Sequence, residues 1–170
     1  PDPVKGYGAP KRAAKITSTK KRKTGELIYD VAYTMDKNGL RITPENVAQA
    51  DHPVWFFGCS FAVGEGVNDE ETLPYLFSAK TGLKTYNFGF HGYGPHQMLR
   101  MLETTYIADI DPRTPSLVFY IAISVHIERA AGLVLWDKDG PNYILDGDTA
   151  IYAGKFSDGN IVGRYADKIA

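Results

Sequence analysis

The chain of 170 residues lacks three features that would each assign it to a familiar class of protein. It has one cysteine, Cys59, so no disulfide can form within the chain and cysteine usage does not indicate a redox compartment. Its 19 lysines and arginines are offset by 20 aspartates and glutamates. This balance argues against nucleic acid as a partner, because phosphate binding needs an excess of positive charge. No apolar run approaches the roughly 20 residues of a membrane-spanning helix.

The sequence also lacks a recognisable signal peptide, and it begins at Pro1 rather than at methionine. We therefore expect that a segment upstream, such as an export signal or a membrane anchor, has been removed. On sequence grounds the cellular location stays open, with export or anchoring in a bacterium as one expectation.

Two regions of different character follow each other along the chain. Residues 1–50 are polar and rich in turn residues, with one clear strand pattern over residues 27–34. They are expected to form an extended arm with short β elements, and the basic run over residues 20–23 is interpreted as a solvated loop. Residues 51–170 are expected to form an α/β domain with a β-rich insertion from about residue 133.

The second region shows the order strand, helix, strand, helix, strand. Apolar runs over residues 54–57 and 117–123 predict buried strands, with a shorter strand over 84–88, and helix signals begin at Thr72 and Pro95. This order predicts a three-layer α/β/α (flavodoxin-like) fold around a parallel sheet. Because three strands are few for such a sheet, the fold is expected to be incomplete at the C-terminus. Its exposed edge is then a surface for self-association.

Three loops are expected beyond the carboxyl ends of the strands, where open α/β sheets bind their ligands. The first loop carries Ser60 directly after a strand, near backbone N–H groups that can hold an oxyanion. The second has three glycines within six positions, which lets the backbone approach a ligand closely. The third places His126 just beyond a strand. Each loop alone also fits a structural role. The loops span residues 58–66, 89–94 and 124–129.

Three further histidines are weaker candidates for the same cleft. His91 and His96 could line it, but neither has an obvious acidic residue in sequence to orient its ring. His52 precedes the first buried strand, which places it at the opposite end of the predicted sheet.

Taken together, these segments resemble the motif blocks of the SGNH (GDSL-type) hydrolase superfamily, over roughly residues 25–130. The first block of that family reads Gly-Asp-Ser followed by Leu, Phe or Tyr, and Cys59 stands here at the position of the usual aspartate. The segments that carry the resemblance are Gly58-Cys59-Ser60-Phe61, its continuation over residues 64–72, which looks like a bacterial subgroup, the second block over residues 87–94, and the lead-in over residues 31–41.

The resemblance implies a serine ester hydrolase. Ser60 would be the nucleophile, and its own N–H with that of Gly92 would stabilise the tetrahedral oxyanion. The third block of the family normally supplies an asparagine as a further donor. Here Ser124 or His126 occupies that region, and a protonated or suitably tautomeric His126 could donate instead. The implied substrates are acyl or acetyl esters of lipids or carbohydrates, and neither a metal nor another cofactor is implied.

One block of the family pattern is missing. The family takes its general base from a late Asp-x-x-His tetrapeptide, and none occurs in this chain. A serine without a base is a poor nucleophile at neutral pH. We interpret the absence as truncation, so that the chain is the nucleophile-bearing part of a longer esterase or acyltransferase.

Three alternatives stay open. The first is a catalytically inactive SGNH-like module that binds carbohydrate or a partner protein. The second is a flavodoxin-like domain with a phosphate or flavin ligand, although no GxGxxG or Walker pattern supports it. The third is Cys59 as the nucleophile, whereas the family register predicts that Cys59 is a small buried residue beside the site.

Overall fold

The α/β prediction is confirmed in its coarse form by a computed structural model, which describes residues 1–45 and 52–159. The chain forms two compact units. We call the first the sheet unit, Ala9–His91 with Pro112–Ile121, and the second the helix–hairpin unit, Pro1–Gly8 with Gly92–Asp111 and Ala122–Ala170.

Short elements make up both units. The sheet unit contains β1 (Ala14–Lys21), β2 (Leu27–Met35), β3 (Val54–Gly58), α1 (Ser60–Val63), a 3-10 turn (Asp69–Glu71), α2 (Leu73–Thr81), β4 (Thr85–Asn87) and β5 (Leu117–Ile121). The helix–hairpin unit contains α3 (Pro95–Glu103), α4 (His126–Ala130), β6 (Pro141–Asp146), β7 (Thr149–Lys155), and 3-10 turns at Leu135–Asp137 and Phe156–Asp158. Among the described residues, no helix is long and apolar enough to cross a bilayer.

The centre of the sheet unit is a parallel sheet of three strands in the order β4-β3-β5. β3 lies between the other two, and its residues Val54 and Phe57 are fully buried. Phe56 stacks on Phe119 with 4.7 Å between ring centroids, and Phe57 stacks on Phe88 at 5.1 Å. Because successive side chains of a strand point to opposite faces, the core covers both faces of β3, as its continuous apolar run predicts.

The strand predicted over residues 117–123 is present, but the prediction that it is buried is wrong. β5 is a strand, but it ends at Ile121, and Leu117, Val118 and Phe119 are exposed by 47%, 46% and 37%. The physical reason is its place at the edge of the sheet, where β3 is its one pairing partner among the described strands. An apolar run identifies a strand but does not say whether neighbours cover it.

The first predicted helix is confirmed, with its cap and its end. The Oγ1 of Thr72 accepts a hydrogen bond from the backbone N–H of Tyr75 at 3.3 Å, and α2 ends at Gly82 with φ of +69°. Its apolar face is less buried than the sequence suggests, since Leu73 and Leu76 are exposed by 53% and 41%.

The N-terminal arm is an antiparallel hairpin of β1 and β2, and β2 confirms the strand predicted over residues 27–34. The turn after β2 is held by the Oδ1 of Asp36, which accepts the N–H groups of Asn38 and Leu40 at 2.8 and 2.9 Å. The basic run is not entirely a loop, because residues 20 and 21 complete β1 with their side chains exposed.

Arg41, which follows that turn, is a buried cation that joins the hairpin to the loop after α1. The residue is 2% exposed, and its Nε lies 2.9 Å from the Oδ1 of Asp69. Its guanidinium stacks on the ring of Tyr33 at 4.3 Å. The planar fork of an arginine can satisfy several carbonyls at once. Its carbonyl acceptors are those of Val63 (3.0 Å), Gly64 (2.6 Å), Val67 (2.7 Å) and Ala32 (3.3 Å).

Removing the Arg41 fork should strongly destabilise the fold. We expect Arg41→Ala to lower the free energy of unfolding by about 3 kcal/mol or more, because Asp69 and four carbonyls lose their donors. Arg41→Lys should recover only part of the loss, since an ammonium cannot reproduce the fork. Urea unfolding measures both. The exposed Arg22→Ala serves as the control and should stay within about 0.5 kcal/mol of the wild type; equal effects at Arg41 and Arg22 would contradict the role given to Arg41.

Candidate functional site

Ser60 stands at the carboxyl end of β3, where it is the first residue of α1. Its side chain is half-buried, and its carbonyl accepts the N–H groups of Gly64 and Glu65 at 3.0 and 2.8 Å. The strand reaches α1 through Gly58, whose φ is +140° and whose added Cβ would lie 2.9 Å from the carbonyl oxygen of Ile121. Glycine is therefore required immediately before the turn that carries the serine, as the sequence motif indicates.

Ser60 lines a cavity of about 450 Å³ within the sheet unit. This volume lies in the range of sites for small molecules. The cavity wall combines aromatic and apolar groups with charged ones, and the ring of Phe61 is 66% exposed. The other lining residues are Lys20 and Tyr29 from the hairpin, Gly64, Glu65, Val67, Glu71 and Thr72 from the segment between α1 and α2, and Leu73 at the start of α2.

The loop after β4 is tied to α1 through Asn87. This side chain is 1% exposed, and its Nδ2 donates to the carbonyl of Ala62 at 3.0 Å while its Oδ1 accepts the N–H of Gly89 at 3.1 Å. An added Cβ at Gly89 would lie 2.5 Å from the Cβ of Ala62, so a side chain does not fit there. The N–H of Phe90 then donates to the carbonyl of Gly58 at 3.2 Å. The loop therefore runs beside the turn that presents Ser60.

His91, the next residue, has an acidic partner that the sequence did not indicate. Its Nδ1 lies 3.3 Å from the Oε2 of Glu65, a residue 26 positions away, and both side chains are a little over one-third exposed. The same carboxylate lines the cavity with Ser60, and its Oε1 accepts from the hydroxyl of Tyr29 at 3.4 Å. The structure thus pairs an exposed imidazole with a carboxylate that lines the cavity.

His96, in the helix–hairpin unit, also has an acidic partner, but a buried one. Its Nε2 lies 2.6 Å from the Oδ2 of Asp137, which also accepts from the Nε2 of Gln97 at 2.7 Å. The His96 and Asp137 side chains are 3% and 0% exposed. The buried face of α3 is therefore partly polar, and one of its apolar residues, Leu102, is 43% exposed. We interpret this pair as a structural support of the helix–hairpin unit.

Gly92, the predicted oxyanion-hole glycine, also belongs to the helix–hairpin unit. Its φ is +77°, and an added Cβ would lie 2.6 Å from the hydroxyl of Tyr7 and 2.8 Å from the Nε1 of Trp136. Both the backbone conformation and the lack of space therefore require glycine. Its role as a donor to an oxyanion stays a prediction.

His126 begins α4 in the same unit and is 4% exposed. Its Nδ1 lies 3.4 Å from the backbone N–H of Ile123, which donates to it, so the neutral ring carries its proton on Nε2. Burial lowers the pKa of His126, and the nearby Arg129 and His96 lower it further. His126 is therefore suited to donate a hydrogen bond from Nε2 rather than to act as a base.

Two residues that were given minor roles lie as the sequence predicts. Cys59 is fully buried next to Ser60 in the chain, as expected of a small core residue. His52 lies just before β3 and is exposed, with its Nδ1 3.0 Å from the carbonyl of Thr114. The part of the chain that the structure describes contains no group of three or more His, Cys, Asp and Glu side chains that could hold a metal ion.

In comparisons with known proteins, the chain matches no family model and no curated protein, so these comparisons do not assign it to a family. The fold and the site therefore define its class: an α/β protein with a serine at the carboxyl end of a central parallel strand.

His126 should make the stability of the fold depend on pH in mildly acidic solution. The unfolded chain takes up this proton near pH 6.5, whereas the folded chain takes it up only at a lower pH. The contribution of neutral, buried His126 to the free energy of unfolding is therefore complete above about pH 6.5. It is lost as the pH falls through the pKa of His126 in the folded chain. We expect the free energy of unfolding to fall less between about pH 7 and pH 5 in His126→Gln than in the wild type, as measured by urea unfolding. The exposed His52→Gln should keep the wild-type slope, and equal slopes for all three proteins would contradict this account.

Proposed function

We propose that the chain carries the nucleophile of a serine ester hydrolase of the SGNH (GDSL) type, acting on acyl or acetyl esters of lipids or carbohydrates. The observation that supports this most directly is the position of Ser60. It is the first residue of α1 at the carboxyl end of the central strand, and it lines a cavity large enough for a small ester. The resemblance of residues 58–61 and 87–94 to the first two family blocks supports the same proposal.

In this proposal the hydroxyl of Ser60 attacks the ester carbonyl and forms a tetrahedral intermediate. The N–H groups of Ser60 and Gly92 donate to the oxyanion. The Nε2–H of neutral His126 is the third donor, in place of the asparagine of the family. The tautomer of His126 supports this role, because the N–H of Ile123 occupies Nδ1 and leaves the proton of the neutral ring on Nε2, and the lowered pKa of His126 favours that neutral ring.

We also propose that the parallel sheet belongs to a three-layer α/β/α (flavodoxin-like) fold. The support is the strand order β4-β3-β5, with α2 between β3 and β4 in the chain and α3 between β4 and β5. The exposed apolar edge at β5 fits this fold, because further strands would continue the sheet there. The same edge is the surface through which copies of the chain would associate.

Ser60→Ala should abolish esterase activity while leaving the fold intact. We expect the rate of hydrolysis of a short-chain p-nitrophenyl ester to fall by about a thousandfold or more, because no other group in the proposal forms the acyl-enzyme. Circular dichroism and thermal unfolding should match the wild type, since the side chain is half-buried and small.

Cys59→Ala is the matched control, because it removes the neighbouring thiol and keeps Ser60. It should retain activity, whereas loss of activity in Cys59→Ala with retention in Ser60→Ala would assign the nucleophile to the thiol. Binding of carbohydrate or a protein without any turnover would favour the inactive SGNH-like binding module.

A further inference from the structure

The segment that contains β1 and the turn after it concentrates positive charge. Residues 9–25 hold seven of the chain's 19 lysines and arginines and none of its 20 aspartates and glutamates. Four of the seven are consecutive, at residues 20–23, where β1 ends and the chain turns. Because the whole chain is near neutral, its positive charge is concentrated in this segment rather than spread evenly.

The structure leaves the end of the β1–β2 hairpin uncovered. Every residue from 19 to 28 is exposed, and we call this segment the tip. Its turn is well formed, since the N–H of Arg22 donates to the carbonyl of Glu26 at 2.8 Å and the N–H of Gly25 donates to the carbonyl of Arg22 at 2.9 Å. A Cβ added at Gly25 would meet no atom within 4 Å, so the turn extends into open space.

Little of the positive charge at the tip is used within the fold. One ion pair lies there, with the Nη1 of Arg22 2.9 Å from the Oε2 of Glu26, and the two side chains are 65% and 61% exposed. Such an exposed pair contributes little to stability. Lys21 and Lys23 form no ion pair with any residue that the structure describes. The tip therefore presents a net positive charge to solvent.

Two large apolar side chains are exposed beside these charges. Leu27 and Ile28 begin β2 and are 54% and 50% exposed, and Leu27 pairs with Lys21 across the hairpin. Because side chains alternate along a strand, Leu27 shares the face of Tyr29, which lines the cavity, and Ile28 takes the opposite face. Apolar side chains within a basic surface are the combination by which proteins bind at the interface of an anionic membrane.

The second hairpin of the chain has exposed apolar residues but the opposite charge. Ile144 and Leu145, near the end of β6, are 55% and 79% exposed. The turn that follows carries Asp146 and Asp148, both exposed. An anionic surface would repel these carboxylates, so the charge at the tip, rather than apolar exposure alone, distinguishes the first hairpin.

We propose that the tip is a docking surface for a membrane that contains anionic lipids. Its four basic residues contact the headgroups, while Leu27 and Ile28 enter the boundary between headgroups and acyl chains. The phosphates of a nucleic acid would pair with the basic residues but leave the apolar pair in water. Lys20 belongs to the tip and also lines the cavity beside Ser60, so that cavity adjoins the docking surface. Docking of this kind does not require the ester hydrolysis proposed above.

The test measures sedimentation of the 170-residue chain with vesicles of phosphatidylcholine, either alone or with about one-third phosphatidylglycerol. We expect binding to the anionic vesicles alone, and it should weaken between about 0.05 and 0.5 M salt because salt screens exposed charges. The double variant Lys21→Gln, Lys23→Gln should lower the partition coefficient by about fivefold for each charge removed. The control double variant Lys37→Gln, Lys80→Gln removes the same charge from exposed sites outside the tip and should bind within about twofold of the wild type.

The apolar pair has its own test and its own control. Leu27→Thr with Ile28→Thr keeps two residues that favour a strand and should lower the partition coefficient by about tenfold or more. Ile144→Thr with Leu145→Thr removes an equally exposed pair from β6 and should leave binding unchanged. Circular dichroism of each variant checks that it folds.

An environment-sensitive dye on a single introduced thiol reports which surface meets the lipid. The dye on Leu27→Cys should shift its emission to shorter wavelength with anionic vesicles, whereas the dye on Leu145→Cys should not. The native Cys59 is fully buried and does not compete for the label.

The docking proposal is wrong if the chain does not bind anionic vesicles, binds both kinds of vesicle equally, or loses binding equally in the tip variants and their controls. Binding of a DNA duplex that depends on Lys21 and Lys23 but not on Leu27 and Ile28, without vesicle binding, would assign the tip to nucleic acid instead.

Discussion

Burial of the Arg41 guanidinium is the constraint on which the rest of the sheet unit depends. A buried cation must have its charge paired and its donors satisfied, and Arg41 meets this requirement with Asp69 and four backbone carbonyls. These acceptors belong to β2, to the end of α1 and to the segment that follows α1, and Asp69 also accepts the N–H of Thr34 at 3.0 Å. One side chain therefore fixes the path of the loop that contains Glu65, and with it a wall of the cavity beside Ser60.

The two imidazole–carboxylate pairs illustrate how environment separates chemically similar groups. His96 and Asp137 are almost completely buried, and Gln97 donates to the same carboxylate oxygen, so this pair stabilises α3 and the turn at residues 135–137. His91 and Glu65 are more than one-third exposed, and the carboxylate faces a cavity. Proton exchange with water requires such access, and of these two pairs only His91 and Glu65 have it.

The elements that were predicted well from the sequence are those whose causes lie within a few residues. Thr72 caps a helix that begins at the next residue, and the apolar run of β3 indicates burial on both faces. β5 shows the limit of this reasoning. Its run is as apolar as that of β3, but its exposure depends on which strands lie beside it.

The sequence by itself therefore determined the strand, helix, strand, helix, strand order of the parallel sheet, the glycine and serine at the end of β3, and the exclusion of an internal disulfide, because each follows from local residue chemistry or from a count. Only the tertiary structure decided that Arg41 is buried, that Glu65 pairs with His91, and that the cavity wall includes Lys20 and Tyr29 from the hairpin. The partners in these contacts are some 20 to 40 positions apart in the chain. Which of them meet is set by the packing of the hairpin and loops around the sheet, and that packing leaves no periodic or local signal in the sequence.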